Sequence, residues 1–240
     1  MFSQPLEEEI LDSASLDPAA RERALRGLGR VNRVLFGFQP VRRSLLPLWT
    51  KGPPDLCVLD LGTGSGETAA RLARAARRRG IAVRAIGVDR QLGHLLFGRR
   101  AGHHQLRVVA DARHLPFADA ACDWTLSSLF FHHFDGPANR AVVAEMNRVA
   151  RRGAVVVDLR RNWLAALLVR LLLPLLGVCA VTRHDGRLSV RQSWPLAELR
   201  RWATVYQGAE VRRRFPFRFC LVIPTKTGAA GRAKAPGAAS

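Results

Sequence analysis

The chain has 240 residues, of which 48% are hydrophobic and 24% charged; these are the proportions of a soluble globular protein, they exclude a wholly disordered or fibrous chain, and they fit one α/β domain. The formal net charge is +19, but only three of the 38 basic residues are Lys (Lys51, Lys226 and Lys234), and the Arg residues are scattered in short groups such as Arg77–Arg79 and Arg212–Arg214. Such a skew follows from GC-rich coding, and basic charge dispersed without interleaved aromatics argues against nucleic acid as a partner, while attraction to an anionic membrane or an acidic substrate stays open.

Along the chain, Glu7-Glu8-Glu9 stands where a secretory leader needs basic residues and then an apolar run, which points to a cytoplasmic protein. Residues 1–50 read as an N-terminal helical segment. Pro18 is placed to start a helix, and Val31, Val34, Leu35, Phe38, Val41, Leu45 and Leu48 recur at helical spacing to make one apolar face over 30–48. Gly52-Pro53-Pro54 ends that region. Over 51–224 the pattern alternates. Strands are expected at 56–61, 82–88, 106–110, 122–128 and 154–159, and helices at 67–79, 91–101, 137–150 and 195–207. Nearly continuous apolar strands in this order predict a doubly wound, mostly parallel sheet. Strand-like pieces at 209–215 and 217–223 bring it to seven strands with an antiparallel edge.

The most apolar stretch, Trp163 to Val181, approaches the length of a membrane span, but Arg170 and Pro174 interrupt it. It is expected to form a lid or packing insert over about 162–181, with shallow contact at the inner face of a membrane, aided by Arg160, Arg161 and Arg170, as the alternative. Arg183-His184-Asp185-Gly186 reads as a turn, followed by a short strand or loop at 188–191. Residues 225–240 have nothing to bury and are expected to be disordered. Cys57, Cys122, Cys179 and Cys220 stand far apart without a C-x-x-C pair, so neither a disulfide framework nor a zinc spacing is visible, and no metal is expected.

The chemistry concentrates in Val58-Leu59-Asp60-Leu61-Gly62-Thr63-Gly64-Ser65-Gly66-Glu67, a strand running through a glycine turn into a helix. Such a turn lets backbone approach a ligand at the carboxyl ends of the strands, beside a helix N-terminus. The dinucleotide fingerprint would need glycine where Glu67 stands, and the G-K-[ST] of a phosphate loop is absent. Asp60 suits a cationic ammonium better than a pyrophosphate. Asp89 ends the second strand, where an acid can accept from ribose hydroxyls, and Asp111-Ala112 follows the third. Acids thus recur at three successive strand ends.

These residues resemble motif I and its companions in class I S-adenosylmethionine-dependent methyltransferases, over about residues 55–160. The resemblance implies a Rossmann-like methyltransferase fold with S-adenosylmethionine as cofactor. It implies that Asp60, Gly62, Thr63, Gly64 and Gly66 face the methionine end, Asp89 and Arg90 the ribose, and Asp111 and Ala112 the adenine, with Ser127 touching the cofactor. The phrase from Asp111 to Phe134 is similar to the small-molecule branch that includes ubiquinone and menaquinone biosynthesis methyltransferases. The acceptor implied is a small apolar aromatic, quinone-like or polyketide molecule methylated at O or C. His132 and His133 follow the fourth strand and are the candidates for a general base toward a protic acceptor. A nucleic-acid methyltransferase, or a module that holds the cofactor without catalysis, remain as alternatives. The oligomeric state is not legible.

Overall fold

The computed structural model describes residues 6–50, 52–103 and 106–225. The N-terminal region forms α1 (Pro18–Val34) and α2 (Phe38–Trp49), preceded by a single 3-10 turn at Ile10–Asp12. The alternating region then runs β1 (Asp55–Leu61), α3 (Glu67–Arg77), β2 (Ala82–Asp89), α4 (Leu92–Arg100), β3 (Leu106–Val109), β4 (Cys122–Ser128), α5 (Gly136–Val149) and β5 (Ala150–Leu159). It continues with α6 (Trp163–Leu175), α7 (Ala180–Gln192), α8 (Leu196–Ala203), β6 (Glu210–Arg214) and β7 (Arg218–Pro224).

The seven strands lie in the order β3-β2-β1-β4-β5-β7-β6. The first five are mutually parallel, and β7 runs antiparallel to both β5 and β6. Both faces of the sheet are covered, which is why the strands read as unbroken apolar runs. Along β7, Phe219, Leu221 and Ile223 join a core with Val142, Met146, Leu199 and Trp202. Cys220 and Val222 point to the other core, with Val41, Leu45, Trp49 and Leu72. The strand order reverses between β1 and β4, so the carboxyl ends there open into a crevice.

Local signals start the helices as expected. Pro18 opens α1 behind Asp17, whose carboxylate accepts the Ala20 N–H at 2.8 Å, and Asp135 caps α5 on Ala138 in the same way. The continuous apolar face expected over 30–48 is instead divided between two helices. The break falls at Leu35–Gly37, where Phe36 takes a positive φ of 54°. The helix expected at 195–207 stops at Ala203, and β5 begins at Ala150. Residues 226–240, expected to be disordered, lie outside the described residues.

The stretch expected as an insert over 162–181 is α6, a turn at Gly177 and the first residues of α7. The turn expected at Arg183–Gly186, and the strand or loop after it, are corrected: all of these residues lie within α7. Asp-Gly promotes a turn when its carboxylate bonds locally, but here the buried Asp185 is occupied elsewhere. Its two oxygens accept the backbone N–H groups of Ile10 and Leu11 at 3.0 and 2.9 Å. Gly186 lets α6 close in, because a Cβ there would come within 2.8 Å of a Leu173 methyl. Further along α7, the Gln192 amide accepts from Glu7 N–H at 2.6 Å and donates to Glu7 O at 3.2 Å. The N-terminal segment is thereby strapped to α7.

Asp185→Ala removes the acceptors of the Ile10 and Leu11 N–H groups, the second of them buried, at an expected cost of about 1–3 kcal/mol for the buried donor left unsatisfied. A lower urea midpoint, with faster proteolytic cleavage before Pro18, is the expected outcome. An unchanged midpoint and cleavage pattern would show that the strap carries no stability.

Candidate active site

The glycine turn leaves β1 with Gly62, Gly64 and Gly66 at φ of 63°, 55° and 76°, values that strain any L side chain. Two of its neighbours fix the turn in place. A Cβ on Gly62 would fall 2.2 Å from the Phe130 ring, and one on Gly98 of α4 would fall 2.0 Å from the Ser65 carbonyl oxygen. A Cβ on Gly64 would meet nothing within 4 Å, because that residue faces open space. The open space is a cleft of about 460 Å³ across the carboxyl edge of the sheet.

One half of the cleft is lined by Gly62, Thr63, Gly64 and Ser65, with Asp89, Arg90, Asp111, Ala112, Ser128 and Phe130. Asp60 stands just behind this wall, almost fully buried, with the Thr63 hydroxyl donating to its Oδ2 at 2.7 Å. Burial pushes its carboxyl up to about 7, and the nearby Asp89 charge adds to the push against the Thr63 hydrogen bond. Asp89 accepts the Gly64 N–H at 2.8 Å and the Gln91 N–H at 2.9 Å, and His94 Nδ1 lies 3.4 Å from it. Asp111 is half-exposed and gripped by the Arg113 guanidinium, whose hydrogen bonds hold its carboxyl down at about 2. Arg90 is exposed and pairs with Glu8 at 2.6 Å.

The structure therefore brings Gly62, Thr63, Gly64, Asp89, Arg90, Asp111 and Ala112 to one surface. Gly66 sits behind the turn as the N-cap of α3, and Ser127 is fully buried in β4, while the neighbouring Ser128 lines the cleft. A group carrying an ammonium, a ribose and a flat base fits this wall: an open glycine cradle lies beside a buried carboxyl without a countercharge, next to a strand-end acid with lone pairs to spare.

The other half is built from the N-terminal segment and the long helices. Leu25, Leu28, Phe38, Val169, Leu173 and Val190 give it apolar walls. Its polar end holds Glu9, Asp12, His132, His133, Ser189 and Arg218. His132 is fully enclosed. Its Nδ1 lies 2.8 Å from Asp158 Oδ1 at the end of β5, and its backbone N–H donates to Asp158 Oδ2 at 3.0 Å. Its Nε2 lies 3.5 Å from Glu9 Oε1. Burial alone would favour the neutral ring, but the two carboxylates outweigh it and raise the imidazole to about 10. Glu9 is correspondingly held down at about 2: burial opposes this, and the His132 hydrogen bond and the two imidazole charges prevail. His133 stacks on His132 with ring centroids 4.4 Å apart, its Nδ1 lying 3.3 Å from Asp12. The Arg218 Nε is buried without a hydrogen-bond partner among the described residues.

Glu9, Asp12, Asp158 and Arg218 carry no signal in the sequence. Glu9 is read there only as part of an acidic run, and its meeting with His132 depends on the strap to α7.

Comparison with known proteins places this geometry. Residues 59–157 match a family model described as a methyltransferase domain. No curated protein matches the chain. Among solved structures, an S-adenosylmethionine-dependent methyltransferase from Aquifex aeolicus superposes with a TM-score of 0.58 at 16% identity, over 88% of this chain and 99% of that one. Magnesium protoporphyrin IX methyltransferase from Synechocystis PCC 6803, solved with bound S-adenosylmethionine, gives 0.53 at 16% identity, over 89% and 99%. The methyltransferase solved in complex with the Trm112 activator of Haloferax volcanii gives 0.59 at 17%, over 89% and 99%. At these identities the likeness is one of fold.

The two glycines nearest the turn separate packing from ligand contact. Gly98→Ala drives a methyl into the Ser65 carbonyl and should cost about 1–3 kcal/mol, read as a lower melting temperature. Gly64→Ala meets no atom, so its stability loss is that of a positive φ alone, about 1 kcal/mol, while nucleoside binding should weaken by more than that loss explains. Unchanged nucleoside affinity in folded Gly64→Ala would contradict the assignment of Gly64 to the cleft.

Proposed function

We propose that this chain is a class I S-adenosylmethionine-dependent methyltransferase that methylates an oxygen or carbon of a small, largely apolar acceptor with an aromatic, quinone-like or polyketide skeleton, a reading supported by the methyltransferase-domain match over residues 59–157. The observation that carries the reading is one cleft with two unlike halves: strand-end acids and a glycine cradle on one side, apolar walls ending in imidazoles and Arg218 on the other. Bound in the first half, the cofactor supplies a methyl group on a positively charged sulfur.

In this reading Asp60 and the Gly62–Gly64 backbone hold the amino-acid end. Asp89 accepts from the ribose hydroxyls, and Asp111 with the Ala112 backbone borders the base. Ser128 takes the place beside the cofactor expected for Ser127. The walls around Leu25, Leu28 and Leu173 exclude water and align the acceptor for in-line displacement, where positioning supplies much of the rate. The unpartnered Arg218 Nε donates to a carbonyl or phenolate oxygen. His132 is already protonated between two carboxylates, so of the two imidazoles His133 is the one placed to take a proton from a hydroxyl acceptor. The ubiquinone- and menaquinone-type branch is supported by the Asp111–Phe134 phrase.

Incubation with methyl-labelled cofactor and a panel of phenols, quinols and polyketides should label a small molecule, and labelling of bulk RNA instead would refute the acceptor class. Cofactor affinity should depend on pH through Asp60. With its carboxyl near 7, the ionised form that meets the ammonium is lost as pH falls below 7. Affinity should drop by up to about tenfold per unit there, and Asp60→Asn should bind weakly with a flat profile. Calorimetry showing a flat profile in the wild type would overturn the role of Asp60.

We also propose that the protein touches membranes at the outer face of α6. Trp163, Leu167, Leu171 and Leu175 form an exposed stripe there, with Leu175 81% exposed, and Arg170 lies in the same stripe. Among the described residues no helix is long and apolar enough to cross a membrane. The net charge of +19 favours an anionic surface. Sedimentation with phosphatidylglycerol vesicles, reduced by Leu171→Glu and absent with neutral vesicles, is the expected result. Equal sedimentation of the variant would exclude this face.

A further inference from the structure

We infer that Glu9, His132 and His133 form a binding site for a divalent transition-metal ion at the polar end of the cleft. One carboxylate oxygen of Glu9 and one ring nitrogen from each histidine lie within 4.8 Å of one another. The Nε2 atoms of both rings face Glu9: His132 Nε2 is 3.5 Å from Oε1 and His133 Nε2 is 3.9 Å from Oε2. Both Nδ1 atoms face away, to Asp158 at 2.8 Å and to Asp12 at 3.3 Å.

Three features distinguish this arrangement from a simple ion pair. The first is distance. A charge-assisted hydrogen bond draws N and O to about 2.7–2.9 Å, and neither Nε2 comes that close to Glu9. Ligands about 2.0–2.2 Å from a tetrahedral metal stand about 3.4 Å from each other, close to the observed 3.5 Å. The second is the outer shell. Each ring has its own carboxylate on Nδ1, which turns Nε2 toward Glu9, and an ion would bind there by displacing the Nε2 proton of His132. Glu9 is oriented too, by the Ser189 hydroxyl donating to Oε1 at 2.5 Å. The third is rigidity. Asp158 holds the His132 backbone as well as its ring, and the 29° between the stacked ring planes must open for both Nε2 lone pairs to meet one ion.

Two imidazoles and one carboxylate suit zinc or another first-row divalent ion, and three protein ligands leave a position for an outside donor. All three ligands line the cleft, so the open position faces it. Resting on the methyltransferase reading, that position takes the acceptor's oxygen. A hydroxyl bound there would ionise near neutral pH through the metal's charge, releasing its proton to water at the cleft mouth, and His133 would then serve as a ligand in place of the base role it has without metal.

The test uses the full chain, stripped with chelator, and its Glu9→Gln and His133→Ala variants, each checked for native circular dichroism. Zinc titration by calorimetry should show one equivalent for the wild type, with at least tenfold weaker binding in both variants. Cobalt should give the visible spectrum of a tetrahedral nitrogen–oxygen site without the thiolate charge-transfer band that binding at a cysteine would produce. No uptake by the wild type, uptake equal in the variants, or a thiolate band would overturn the inference. S-adenosylhomocysteine binding measured on the metal-free protein separates the two readings: its absence would sink the methyltransferase reading, whereas absent metal binding would sink only this one.

Discussion

A buried charge must find a partner, and the carboxyl edge of this sheet is arranged around that constraint. Parallel strands deliver acids to one rim: Asp60 from β1, Asp89 from β2 and Asp158 from β5. In a low-dielectric crevice each is costly unless it is protonated, hydrogen-bonded or paired. Each is answered differently. Asp60 has a hydroxyl donor and an elevated carboxyl; Asp89 collects two backbone N–H groups; Asp158 binds an imidazole and the backbone behind it.

The third answer reaches far along the chain. His132 can stay protonated in the interior because Glu9 arrives from the N-terminal segment to balance its second edge. That segment is positioned by Asp185 and Gln192, which bond its backbone from α7. α7 in turn sits against α6 through the missing side chain of Gly186. Electrostatic balance at the floor of the cleft and closure of its roof are therefore one structural event. Loss of the strap would leave Asp158 and His132 facing a gap and would open the apolar half to water.

This dependence explains what the sequence can and cannot disclose. The strands, the glycine turn and the acids after β1, β2 and β3 are legible because each is specified by residues within a few positions of it: apolar runs, a turn that needs positive φ, and a helix opening behind it. The pairing of Glu9 with His132 is invisible, since neither residue carries a local mark of the other and the contact exists only once the chain has wrapped from α1 to α7. Asp185-Gly186 misleads for the same reason. Its dipeptide has a local meaning, a turn, that a distant demand overrides: two backbone donors need the carboxylate, and a helix crossing needs the hydrogen. Ser127 and Ser128, both candidates beside the cofactor, show the finest scale that a motif leaves open. Alternation along β4 places one in the interior and its neighbour at the cleft, and which is which depends on a register that the motif does not state.

The two ends of the cleft also differ in sign, which bears on how a transferase orients two ligands. At the cofactor end, among the described residues, Asp60 is paired with no cation and Asp89 only with His94, while Arg90 and Arg113 are taken by Glu8 and Asp111, so a ligand carrying positive charge gains there. At the other end Glu9 and Asp158 are met by His132 and Arg218, and Asp12 by the His133 ring, so each carboxylate already has a partner. A cationic ligand entering the second half would displace an existing partner, whereas an oxygen with lone pairs would find donors waiting and apolar walls on either side. In the proposed reading, the cleft thus discriminates between its ligands before any shape is compared: the sulfonium amino acid would be drawn to one end by charge, leaving the other to a neutral or weakly anionic acceptor.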